Sequence, residues 1–267
     1  MKPTRIFYSF YRNIKAIKYR FIVIFIIMSL LLISTAISSM HRTPSSIKCS
    51  VFDILLHSLG KEGILGILSL TFIIVPTFSF ILISIIDFEK SIFYLVRSKS
   101  RESIWNKEAL FIIILSFIFS IVLVFGGYLA SGLIVEGFRN NWSSTDSFTY
   151  SLIGRDENWK QISTIFSTYK MMLYILTSNF LGLCTIGFFI CTIKKILPNV
   201  YVYLLLFIIM LSDGIVGKFS FILNQMTINL RNWMSPNTIL ISDIYLILLI
   251  VIFYIVGREI INKKDFI

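Results

Sequence analysis

The residues best placed for chemistry in this 267-residue chain lie in one charged stretch and at two isolated acids. The stretch is Asp87–Glu108, DFEKSIFYLVRSKSRESIWNKE. In it Ile92, Tyr94, Leu95, Ile104 and Trp105 alternate with Glu89, Lys90, Arg97, Lys99, Arg101, Glu102 and Lys107. It is too long for a plain helical hairpin turn and too charged to cross a membrane. Arg97 and Arg101 stand four residues apart, so on a helix they share a face. An apolar face on a short charged helix needs a cover, and a cytosolic partner or the membrane surface would each supply one. The two acids, Asp213 and Asp243, sit inside otherwise apolar runs. Ionisable groups in lipid are costly and mark functional sites by default. By count both fall within one to two turns of a span end, where Lys218 or Arg231 could pair with them. That leaves a structural pair and a substrate or proton site both open.

Other chemistry is missing. There is no G-x-x-x-x-G-K-[ST] nucleotide loop, no H-E-x-x-H and no G-x-S-x-G. His41 and His57 are too few for a His-rich metal site, and Cys49, Cys184 and Cys191 do not form a disulfide framework. No catalytic residue and no metal ligand is expected.

The composition explains what must position these groups. Apolar residues make up 56% of the chain and charged residues 15%, against roughly 25% charged in ordinary globular proteins. Mean hydropathy is +0.83. So apolar a chain cannot coat itself with polar groups, and lipid must be part of its solvent. Six apolar stretches, 21–38, 64–86, 109–134, 171–193, 200–217 and 239–257, are at or near the length that crosses a bilayer as a helix. None shows the alternation of a transmembrane β-strand. The expected fold is all-α: a polytopic membrane protein with six spans in one transmembrane domain over residues 1–267.

Charge sets the orientation. Of 25 Lys and Arg, 16 fall in residues 1–20, 87–108, 194–199 and 258–267. With their acids these pieces carry +10 of the formal +11. Basic residues collect on the cytoplasmic side, so both termini are expected there. The charge is then a topology signal, and nucleic acid is not an expected partner. The first span is read as retained, because its apolar run is longer than that of a signal peptide.

The connections add detail. Residues 1–20 place Ile6, Phe10, Ile14 and Ile17 on one face with Arg5, Arg12, Lys15 and Lys18 on the rest, which suits a helix lying in the headgroup region. It reads equally as an elbow feeding span one and as a generic basic anchor. Pro76 predicts a kink in span two. Trp142, Tyr150 and Trp159 suggest that the loop 135–167 lies on the outer leaflet. Residues 218–240, apolar but interrupted and ending near Pro236, suit a re-entrant or interfacial segment. Gly126, Gly127 and Gly132 give span three a small-residue face for helix packing.

Six spans, an N-terminal amphipathic elbow and a charged segment between spans two and three resemble the permease subunits of bacterial type-2 ABC transporters. In particular they resemble small permeases of bacteriocin or lantibiotic export and self-immunity. The likeness rests on Phe88, Glu89, Tyr94, Leu95, Arg97, Ser100, Arg101, Trp105 and Lys107, which read as the family's Leu/Val-Arg-x-x-Ser-Arg-x-x-x-Trp-x-Lys element. Asn232-Trp233-Met234-Ser235-Pro236 resembles the short outer helices before the last span. The resemblance implies that the segment between spans two and three is a coupling helix docked on a separate cytosolic ATPase. Glu89, Tyr94, Arg97, Arg101 and Trp105 would then form the interface, and a basic pair facing acids would set docking register more than affinity. ATP and Mg would be held by that partner, in two copies, and not by this chain. A second permease, identical or homologous, would complete the transporter in the bacterial cell membrane. The apolar interior suits a hydrophobic or amphipathic peptide or lipid-like cargo taken from the bilayer. The alternatives are an ion-coupled secondary transporter or channel, which should carry ionisable groups at mid-membrane, and a non-transport immunity or sensor protein.

Overall fold

The computed structural model describes residues 18–42, 49–56, 63–89, 101–135, 137–144, 147, 150, 167–213, 221–227 and 236–263. Residues 1–17, the coupling-segment positions Tyr94 and Arg97, and Trp159, Lys218 and Arg231 lie outside them. So do residues 232–235. Among the described residues every regular element is helical. These are α1 (Lys18–Arg42), α2 (Val51–Leu55), α3 (Ile67–Ser69), a π-helical turn (Leu70–Ile74), α4 (Val75–Glu89), α5 (Arg101–Ile134), α6 (Thr168–Lys194), α7 (Asn199–Leu211), α8 (Leu223–Met226) and α9 (Pro236–Lys263).

Among the described residues four helical rods are long and apolar enough to cross a membrane: Ile67–Asp87, Glu102–Ile134, Thr168–Lys194 and Asn237–Lys263. The expected spans 64–86, 109–134, 171–193 and 239–257 fall on them. Most of these rods outrun the apolar run that marked them, because backbone hydrogen bonding continues where hydropathy ends. α5 starts at Arg101, eight residues before the expected boundary. The apolar parts of the other two helices are shorter, Ile22–Ser38 and Asn199–Leu211. The expected fifth span, 200–217, stops as α-helix at Leu211, and Ser212 and Asp213 form a wider turn. At 13 residues α7 is about 20 Å long.

α6 is the centre of the bundle. Gly182, Leu183, Ile186, Phe188 and Ile190 are all buried. On one side α6 lies along α5, with Phe117 edge-on to Phe180 and Ile112 over Gly187. On another it lies parallel to α9. There Ser178 and Thr192 donate to Asp243 and to the Phe253 carbonyl, and between them the Thr185 hydroxyl bonds to its own Leu181 carbonyl at 2.8 Å and approaches the Leu246 carbonyl at 3.4 Å. Buried hydroxyls that find partners across a helix pair are the usual glue where lipid gives no hydrophobic drive.

The rod of α3 and α4 carries the predicted Pro76 irregularity. The Val75 N–H bonds to the Leu70 carbonyl, five residues back. This widened turn sits where the proline ring would meet the Phe72 carbonyl. Ser79 donates to the Val75 carbonyl at 2.6 Å. Beside this turn an apolar cleft of about 400 Å³ separates α4 from α7, lined by Val75, Pro76, Tyr203, Leu206, Phe207 and Met210. Two of the three α5 glycines are spent inside the chain: a Cβ on Gly127 would meet Leu55 and Ile64, and one on Gly132 would meet Phe138, while Gly126 faces open space.

Candidate functional site: the polar collar at one end of the bundle

Five helix ends meet at the end of the bundle that carries the stems of the charged segment. Asp87 lies near the end of α4, and Glu102, Trp105 and Glu108 lie in the first turns of α5. Lys194 ends α6, Asn199 starts α7, and Tyr254 and Arg258 lie in the last turns of α9.

The collar is tied by two adjacent lysines. Lys194 Nζ is 2.5 Å from Asp87 Oδ1 and also donates to the Ile83 carbonyl at 3.2 Å. Asn199 Nδ2 donates to the other Asp87 oxygen at 2.7 Å. Lys195 pairs with Glu108. Both of those side chains are nearly inaccessible, at 6% and 4% exposed. A buried ion pair holds only with good geometry and further partners. Here the Lys195 ammonium also lies 5.7 Å from the centre of the Trp105 ring. Thus one stem of the segment, the end of α4, is held by Lys194, and the other, the start of α5, by Lys195.

Trp105 locks the second stem to α9. Its indole N–H donates to the Tyr254 carbonyl at 3.1 Å, and its ring packs against Tyr254 and Phe188 at 6.0 and 6.4 Å between centroids. A Cβ at residue 257 would lie 2.3 Å from the indole, so only glycine allows this approach. The Tyr254 hydroxyl donates to Asn106 Oδ1, and Arg258 pairs with Glu102 at the exposed rim.

The predicted interface residues divide accordingly. Glu89 is the last residue of α4 and Arg101 the first of α5, so both stand where the stems leave the bundle. Tyr94 and Arg97 fall outside the described residues. Trp105 is fully buried; it offers no surface to a docking partner, because its indole finds its hydrogen bond and its ring contacts within the chain. Sequence reasoning missed Asp87, Glu108, Lys194, Lys195 and Tyr254. The two acids stood at the margins of the charged segment and the two lysines were read only as topology charges.

The opposite end treats its acids differently. Asp213, fully buried, accepts from the backbone N–H groups of Phe221, Ile222 and Leu223 at 3.0, 2.6 and 2.5 Å and from Asn224 Nδ2 at 3.1 Å. It folds residues 221–226 back into the bundle, where Met226 lies over Gly182 near the middle of α6. Asp213 is therefore a buried staple held by backbone N–H groups; Lys218 and Arg231, the cations offered as its partners, lie outside the described residues. Trp142, expected at the membrane surface, is also fully buried. Its indole N–H donates to Asp53 Oδ1 at 2.6 Å and Ser50 N–H donates to Asp53 Oδ2 at 2.8 Å. This ties α2 to the stretch after α5. Asp243 is half-buried and accepts from the Ser178 hydroxyl at 3.0 Å.

Among the described residues no group of three or more His, Cys, Asp or Glu could hold a metal ion. Comparison with family models, with curated proteins and with solved structures finds no match.

Proposed function

We propose that this chain is the transmembrane permease subunit of an ATP-driven ABC transporter that exports a hydrophobic or amphipathic peptide or lipid-like compound. The observation that carries the reading is the double clamp: Lys194 and Lys195, adjacent in sequence, grip the two stems of the charged segment. A load applied to residues 90–100 would be delivered to both stems and through them to α6, the central helix. That is the arrangement a coupling element needs. The Trp105–Tyr254 bond would pass the same load to α9.

In this reading Arg97 and Arg101, with Glu89 and Tyr94, meet a cytosolic ATPase, and Trp105 positions the stem from behind. ATP and its Mg belong to that partner, present in two copies. A second permease, identical or homologous, completes the pore, and α1 and α7 serve as the first and fifth of six spans. The chain resides in a bacterial cell membrane with both termini in the cytoplasm.

The test is a mild-detergent pull-down of the tagged chain, with mass spectrometry of its companions. A cytosolic ATPase in near-equal amount is expected, and Arg97→Glu with Arg101→Glu should remove it while leaving membrane insertion intact. A chain that emerges alone from several detergents, or an ATPase that ignores the double mutation, overturns the coupling assignment.

A further inference from the structure

Asp243 and Asp213 are both acids of apolar helical segments, but their surroundings differ. A carboxylate offers about four acceptor positions. Asp213 accepts four hydrogen bonds. Asp243 accepts one among the described residues, from Ser178, and no described cation pairs with it. Its single donor is also a diverted one. Of the next hydroxyls of the same row on α6, Thr185 bonds chiefly to the Leu181 carbonyl of its own helix and Thr192 to a backbone carbonyl of α9, and only Ser178 turns to a side chain.

Position narrows what could fill the remaining acceptor sites. Asp243 is seven residues into α9, about 10 Å from its first residue. One flank of Asp243 on the helix is buried, through Ile239, Ser242 and Leu246. The other is Leu240, Ile244 and Ile247, exposed by 61%, 48% and 47%. The half-buried carboxylate therefore stands at the seam between α6 and the exposed apolar side of α9. A divalent metal would require several more oxygen ligands than this seam provides. A monovalent ammonium brings three N–H donors and the compensating charge in one group.

We propose that Asp243 is a lateral binding site for the ammonium group of an amphipathic molecule held in the bilayer, its hydrocarbon part lying along Leu240, Ile244 and Ile247. The inference rests on the permease reading only in making that molecule a cargo.

The experiment uses the full chain in nanodiscs of zwitterionic lipid, with a dansylated alkylammonium probe and its neutral alcohol counterpart of equal chain length. The wild type should prefer the ammonium probe by about tenfold, the worth of one charge-assisted hydrogen bond. Asp243→Asn should lose the preference, and Asp243→Glu and Ser178→Ala should keep it. On wild-type protein, which avoids any folding defect, the ammonium probe should protect Asp243 from carbodiimide modification. A wild type without preference, an Asn variant that keeps it, or carbodiimide modification unchanged by the probe overturns the site. ATPase co-purification is scored separately. An ATPase that stays bound to a chain without ammonium preference leaves the permease reading standing, and ammonium preference without an ATPase leaves only the site.

Discussion

The two ends of the bundle hold their carboxylates in opposite ways. At the collar end Asp87 and Glu108 are matched by Lys194 and Lys195. At the other end Asp213 and Asp53 are matched by backbone N–H groups and an indole. The difference is mechanical as well as electrostatic. Lysines on α6 reach acids on α4 and α5, so the ion pairs join long helices to one another. The N–H groups around Asp213 and Asp53 belong to short connecting stretches, so those bonds hold loops against helices. One set of bonds joins long helices and the other keeps the chain's turns in place.

The contrast can be broken by removing one cation. Lys195→Ala leaves Glu108 buried and unpaired and should lower stability by about 3–5 kcal/mol, read as a fall in melting temperature in detergent. The double variant Glu108→Gln/Lys195→Met should recover most of that loss. A single mutant as stable as the wild type would mean that the pair is not buried.

At the opposite end, Asp213→Ala strands several N–H groups and should cost about 2–3 kcal/mol, with a cysteine placed at Met226 becoming more reactive. Asp213→Asn, which keeps an acceptor, should lose less. If the collar pair and the Asp213 staple act independently, their costs should add to within about 0.5 kcal/mol. Coupling beyond that would show that the two ends communicate through α6.

Smaller changes sharpen the picture. Trp105→Phe keeps the ring contacts but gives up the indole donation to Tyr254, and should cost about 1 kcal/mol and leave ATPase association largely intact. Loss of association without loss of stability would place Trp105 at the docking surface instead. Arg258→Gln should change stability by less than about 1 kcal/mol, because that pair is half exposed and screened by salt.

The sequence showed which stretches are apolar and helical, that the charged segment is no span, and that Pro76 disturbs its helix. Of residues 218–240, read as a re-entrant or interfacial segment because polar residues recur in them, only 221–227 and those from 236 onward are described, and they form a short helix and the start of α9. Three features did not read out. Trp142 and Trp105 look like interfacial or docking aromatics by type, and only their distant partners, Asp53 and Tyr254, show them to be internal. The apolar run of the fifth expected span continues to residue 217, but its α-helix ends at Leu211 and Asp213 bonds to the N–H groups of residues 221–223. The lysine pair at 194 and 195 looks like a topology marker, and its clamp depends on acids 87 to 107 residues earlier in the chain.

The sequence by itself determined that this chain is helical, rich in segments long and apolar enough for a bilayer, and strongly asymmetric in charge. Those properties follow from local composition and spacing, which need no knowledge of neighbours. The tertiary structure alone decided which acid meets which donor, which tryptophans are inside, and that one lysine pair joins both stems of the charged segment. Such choices depend on how helices far apart in sequence pack side by side, and a carboxylate in an apolar stretch does not announce whether a lysine, an N–H group or a single hydroxyl will be waiting for it.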